Sequence, residues 1–123
     1  MNQQLGSGSL CFSKAPFIIS TASVVGKKEG EGPLASFFDV VGSGDEKFGA
    51  DNWEAAESEL QKSALTLTLG KIDRKAEDVR YLFAGDLLGQ TIASSFGLKE
   101  FEIPLLGYMA PAPPVERLCH WPR

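Results

Sequence analysis

The 123-residue chain has 43% hydrophobic and 23% charged residues, which suits a single globular domain and excludes an intrinsically disordered one. Twelve basic against sixteen acidic residues leave a formal net charge of -4, so the broad positive field that draws nucleic acid non-specifically is absent, and no nucleic-acid partner is expected. Lys14, Lys27, Asp39, Arg80 and Asp86 break every apolar region well short of the roughly 20 residues a membrane span requires.

Residues 1–15 are polar and bear Gly6, Ser7, Gly8 and Ser9 where an export signal would need its apolar stretch, so a flexible amino-terminus without a signal peptide is expected. Cys11 and Cys119 stand at opposite ends of the chain, which is neither a disulfide framework nor a metal-ligand spacing. Free thiols in a reducing, cytoplasmic setting follow as the expectation.

From Pro16 to Val25 the run is apolar and β-branched with weak alternation, the pattern of a strand covered on both faces. Lys27 to Pro33 then reads as an exposed, glycine-bearing loop. Glu29 and Glu31 in it supply too few oxygens for a calcium shell, so no metal site is expected. Asp51 followed by Glu54 has the form of a capping box, and Trp53, Ala56, Leu60, Ala64 and Leu67 recur at helical spacing as a core face, with Gly70 as the stop. Glu54, Glu57, Glu59 and Lys62 line the opposite side, which makes this helix scaffold.

Val79 and Tyr81 to Ala84 predict a short buried strand, Gly85 and Asp86 a turn, and Leu88, Ile92, Ala93 and Phe96 a second helix ending at Gly97. A further apolar run, Ile103 to Leu106, follows at once. Strands joined through a helix call for a parallel sheet, so the fold class is α/β with helices packed on a parallel or mixed sheet. The chain supplies too few strands and helices to cover both faces of such a sheet, and an open apolar face is expected.

Catalytic patterns are sparse. Gly42-Ser43-Gly44 starts a dinucleotide fingerprint, but Lys47 stands where the third glycine belongs. The single histidine, His120, sits beside Cys119 in a proline-bearing tail, the wrong geometry for a nucleophile and base brought together across a fold. No catalytic residue and no cofactor are expected. Asp86 lies at the carboxyl end of a strand, where open α/β sheets gather ligands, and Gln90 follows one turn into the next helix, so these two are the candidate ligand-binding residues. The competing role for Asp86 is structural, a carboxylate capping the helix that follows.

Four ordered blocks carry a resemblance: Val24-Val25-Gly26-Lys27-Lys28-Glu29-Gly30-Glu31-Gly32-Pro33-Leu34 with Phe38-Asp39; Trp53-Glu54 with Ala56-Glu57; Ala84-Gly85-Asp86-Leu87-Leu88-Gly89-Gln90; and Ile103-Pro104-Leu105-Leu106-Gly107. Together they resemble the amino-terminal part of the stage V sporulation protein AD family. The resemblance implies an incomplete amino-terminal half of a thiolase-like fold over residues 16–107. It also implies a soluble component that binds dipicolinic acid, as its calcium chelate, and serves its passage across the inner spore membrane in sporulation and germination, beside the other subunits of that channel. Within the same fold a ketoacyl-synthase or thiolase-like acyltransferase is the alternative, but its cysteine would stand just after the Ile103 to Gly107 strand, where this chain has none.

Past Gly107 the family continues into a helix, whereas residues 108–123 hold four of the seven prolines, which forbid one. A single lost base in the Gly107 codon would account for the change. The expectation is therefore a frameshifted, truncated product, non-functional on its own.

Overall fold

In the computed structural model, residues 4–42, 44–86, 88 and 90–109 are described. They form an α/β arrangement of three two-stranded sheets and packed helices. The tail from residue 110 onward, with Cys119 and His120, lies outside the described residues, as do Ser43, Leu87 and Gly89.

Strands β1 (Gln4–Leu5) and β2 (Ser9–Leu10) pair antiparallel around Gly6, whose φ of 65° fits a residue without a side chain. The strand expected from Pro16 to Val25 is realised only as β3 (Val24–Val25). Upstream of it Phe17, Ile18 and Ile19 are exposed, and no strand among the described residues pairs with them. Apolar β-branched residues make a strand only where a neighbouring backbone completes the ladder.

β3 runs parallel to β4 (Val40–Val41), and the connection holds a one-turn helix, α1 (Lys27–Gly30), in place of the expected loop. The turn packs tightly: Gly30 lies so close to Val41 that a β-carbon would overlap its Cγ1.

The long helix forms as expected, as α2 (Trp53–Gly70), but its cap is Asn52 and not Asp51. Asn52 Oδ1 accepts the Ala55 N–H at 2.8 Å, and with Trp53 as the first helical residue only the side chain at 52 is in reach of that donor. Trp53 is exposed, a departure from the expected core stripe, because it opens the helix and takes the Lys47 ammonium 5.5 Å over its ring. Gly70 is the last helical residue, yet the left-handed residue that turns the chain is Asp73, with φ 50°.

A strand, β5 (Leu82–Asp86), leads to a helix, α3 (Ile92–Leu98), and on to β6 (Leu105–Met109). β5 and β6 pair in parallel, from Leu82 opposite Leu105 to Asp86 opposite Met109. Gly85 and Asp86 therefore belong to the strand and not to a turn, and β6 runs on through Tyr108 and Met109. α3 packs on both strands and on α2, while α2 also meets β3.

The core sits at the crossing of α2 and α3 and is made of small residues. Ala56, Ala93, Ser58 and Ser94 are buried there, and Leu69, Leu98 and Ile103 are the larger side chains buried among the described residues. Gly97, expected as a helix stop, lies within the helix and serves as the contact: a β-carbon on it would stand 2.6 Å from the Ser58 carbonyl oxygen. The Ser58 hydroxyl bridges the helices, 2.8 Å from the Ala93 carbonyl, with its own-helix carbonyl of Glu54 at 3.0 Å as the alternative acceptor.

β5 is buried on one face alone, against the expectation of a buried strand. Leu82, Ala84 and Asp86 turn toward the helices, whereas Tyr81 is 54% and Phe83 64% exposed.

Candidate functional site

At the carboxyl end of β5 the chain turns into α3 through Gln90, φ 58°, and Thr91, φ 72°. Two consecutive left-handed residues are costly, and a β-branched threonine there is a genuine outlier, so surrounding contacts must hold the turn in place. Asp86 supplies them. Its Oδ1 accepts the Thr91 N–H at 2.8 Å and its Oδ2 the Ser94 N–H at 2.8 Å. The carboxylate thus caps α3 from the end of the strand, five residues ahead of the first donor, and meets the positive end of the helix.

Asp86 is 4% exposed, and each of its oxygens already holds one backbone donor. That geometry is a cap. Gln90, expected one turn into the helix, precedes it in the turn with its side chain exposed, because α3 begins only at Ile92. The structure brings both candidates to one strand-to-helix turn but gives them unlike settings, one buried and occupied, the other open. Gly107 on β6 completes the packing, since a β-carbon there would meet Thr91 Cγ2 at 3.3 Å. Ser94 is fully buried, and its hydroxyl has no hydrogen-bond partner among the described residues, although its N–H is held by Asp86.

A polar cluster that sequence reasoning missed lies at the carboxyl end of α2. The Lys71 ammonium reaches Asp39 Oδ1 at 2.6 Å and the Thr21 carbonyl at 2.7 Å, while Asp39 Oδ2 accepts the Ser23 N–H at 2.8 Å. The Asp39 N–H returns a bond to Ser23 Oγ at 3.0 Å. This ties the entries of β3 and β4 to the end of α2. The Lys71 hydrogen bond, and after it the Ser23 N–H, holds the Asp39 carboxyl below its usual value of 3.8. In the sequence Asp39 stands out only as a break in an apolar region and as part of a family block. Lys71 had no local signal, because its partners lie 32 and 50 residues away.

An open groove of about 400 Å³ runs between α2 and α3, lined by Asn52, Ser58, Lys62, Phe96, Gly97 and Glu100 among others. Lys62 and Glu100 close one side with a 2.8 Å ion pair, and the Glu100 hydrogen bond raises the lysine above its ordinary 10.5. Asp86 and Gln90 do not line this groove.

Among the described residues no group of three or more His, Cys, Asp or Glu side chains is placed to hold a metal ion. Glu31 instead stands 3.9 Å from Lys27, one turn away. Cys11 is exposed in the amino-terminal stretch. No helix among the described residues is long and apolar enough to cross a membrane.

The sequence profile of Stage V sporulation protein AD matches this chain over residues 6–119. The chain belongs to that family. Stage V sporulation protein AD of Bacillus subtilis (strain 168) is 33% identical to it over 101 residues, which are 82% of this chain and 30% of that protein. The chain therefore spans less than a third of the length of this family relative. The family match is wider at both ends than the four blocks between residues 16 and 107, and it runs on past Gly107, where the blocks stop.

Proposed function

We propose that this chain is part of a spore protein that binds dipicolinic acid, as its calcium chelate, and supports its uptake and release across the inner spore membrane. Family membership across residues 6–119 carries the reading. The role is one of binding and not of catalysis, and the location is the forespore side of the inner spore membrane, held there through partner subunits of the dipicolinate channel. Within the candidate turn, Asp86 acts as the positioning group and the exposed Gln90 as the group that meets a ligand, because the two Asp86 oxygens already hold backbone donors.

The chain shares only 30% of its relative's length, so the ligand site is proposed for the family-length protein and not for these 123 residues alone. Calorimetric titration with dipicolinic acid, with and without calcium, tests this on the Bacillus subtilis relative and on the present chain in parallel. Heat of binding with the relative and none with the short chain is the expected result. No binding by the relative would remove the ligand assignment, and binding by the short chain would make it a working unit in its own right.

A further inference from the structure

α3 carries two apolar stripes, although its packing accounts for one. Ala93, Ser94, Gly97 and Leu98 are buried, where the helix meets α2 and the strands. Ile92 and Phe96 stand one turn apart on another side, 48% and 72% exposed, and both line the groove between α2 and α3. The outward face of a surface helix ordinarily carries polar residues, so two large apolar side chains there call for an occupant.

The groove itself states the chemistry of that occupant. Ser58 and Gly97 are buried at its base, and the Ser58 hydroxyl is satisfied by the Ala93 carbonyl at 2.8 Å, so the base asks for no further polar contact. Its rim is acidic: Glu54, Glu59 and Glu100 set three carboxylates against the single ammonium of Lys62, which Glu100 already holds at 2.8 Å. A complementary surface is apolar along its centre and positively charged along its edges. An extended peptide would bring backbone N–H and C=O groups in need of partners, and both walls are helices whose own backbone bonds are internal. A helix arrives with its backbone bonds already made.

We infer that the α2–α3 groove is a docking site for a basic amphipathic helix of another protein, with Ile92 and Phe96 as the apolar contact and Glu54 and Glu59 as the charged rim. Phe96 is the anchor, since it is the larger and more exposed of the apolar pair. The incoming helix lays a stripe of apolar residues at i, i+3, i+4 and i+7 over Ile92 and Phe96, and its flanking lysines or arginines meet the glutamates. Nothing in this contact depends on dipicolinate.

Two synthetic helical peptides, titrated into the whole chain and followed by fluorescence anisotropy, test this. Both carry leucines at i, i+3, i+4 and i+7; lysines flank the stripe in one and glutamates in the other. The lysine peptide should bind and the glutamate peptide should not. Phe96→Ser should weaken the lysine peptide about tenfold, as loss of an interface anchor does, and Glu54→Gln combined with Glu59→Lys should weaken it about fivefold and flatten its dependence on salt. These changes fall on exposed side chains, so the circular dichroism of the variants should match that of the native chain. Phe83→Ser, at a comparably exposed ring that does not line the groove, should leave the affinity unchanged. No binding of the lysine peptide, equal binding of the two peptides, or binding indifferent to Phe96 and Glu59 would overturn the inference. A chain that self-associates and becomes monomeric on Phe96→Ser would overturn it by making a second copy the occupant. Loss of binding in a chimera, with this chain in place of the matched segment of the Bacillus subtilis protein, would overturn it by making the rest of a family-length chain the cover.

Discussion

Residues 52–109 and residues 16–51 are held together by different means. In the first region α2 and α3 meet through Ser58, Ala93, Ser94 and Gly97, and a buried carboxylate fastens the parallel pair β5–β6 to the helix between its strands. In the second, β3 and β4 are two residues each, Phe17, Ile18, Ile19 and Phe37 are exposed, and the ties are polar and partly open to water: Asp39 with Ser23 and Lys71, and Asp45 with the N–H groups of Lys47 and Gly49. Close packing of small side chains excludes water and strengthens the bonds inside it, whereas an exposed ion pair adds little. Perturbations of the helix crossing should therefore cost far more than perturbations of the polar knot.

The largest effect is expected at the crossing itself. Gly97→Leu places side-chain atoms where the Ser58 backbone already stands, and a urea melt should show a loss of about 2 to 3 kcal/mol, the upper part of the range of about 1 to 3 kcal/mol for overpacked interiors. An unchanged midpoint would show that the helices can separate freely.

Next comes Asp86. Asp86→Ala leaves the N–H groups of Thr91 and Ser94 without acceptors, one of them on a fully buried residue, and should cost about 1 to 2 kcal/mol in the same melt. Gln90→Ala, on an exposed side chain, should leave the midpoint near that of the native chain.

These two positions also show what can be read from a sequence. Asp86 was legible as a strand-end carboxylate with capping as its competing role, because strand, short connection and helix follow one another within a dozen residues. Its donors were not legible, since they depend on the left-handed backbone of Gln90 and Thr91, which neither residue type announces. Helical periodicity located α2 to within a residue, while the choice between Asp51 and Asn52 as cap turned on a one-residue difference that propensity does not resolve. The apolar run from Pro16 to Val25 misled for a plain reason: β-propensity describes a residue that fits a half-buried pleat, and a pleat needs a neighbour. Lys71 was silent because all its partners are distant in sequence.

A smaller effect of opposite sign separates the glycines. Gly70 closes α2 with nothing within 4 Å of a would-be β-carbon, so Gly70→Ala should raise stability by about 0.5 to 1 kcal/mol through helix propensity alone. A loss there would mean that the end of α2 needs glycine after all.

The smallest effect belongs to the polar knot and depends on pH. The Asp39 carboxyl is held below 3.8 in the folded chain, so its contribution is present above that value and is lost as pH falls through the lowered one. Melts at about pH 5.5 and about pH 3 should therefore differ less in Asp39→Asn than in the native chain, a comparison that isolates this group from the other carboxylates. Equal differences would mean that the ion pair contributes nothing measurable.

Hydrogen exchange followed by mass spectrometry on the intact chain compares the two regions most directly. The account predicts that the amides of residues 56–69 and 93–98 exchange slowest, and that those of residues 17–19, exposed and outside any ladder, exchange at close to the rate of an open chain, since protection follows buried packing and completed ladders. Slow exchange across residues 17–19, equal to that of the helix crossing, would contradict it.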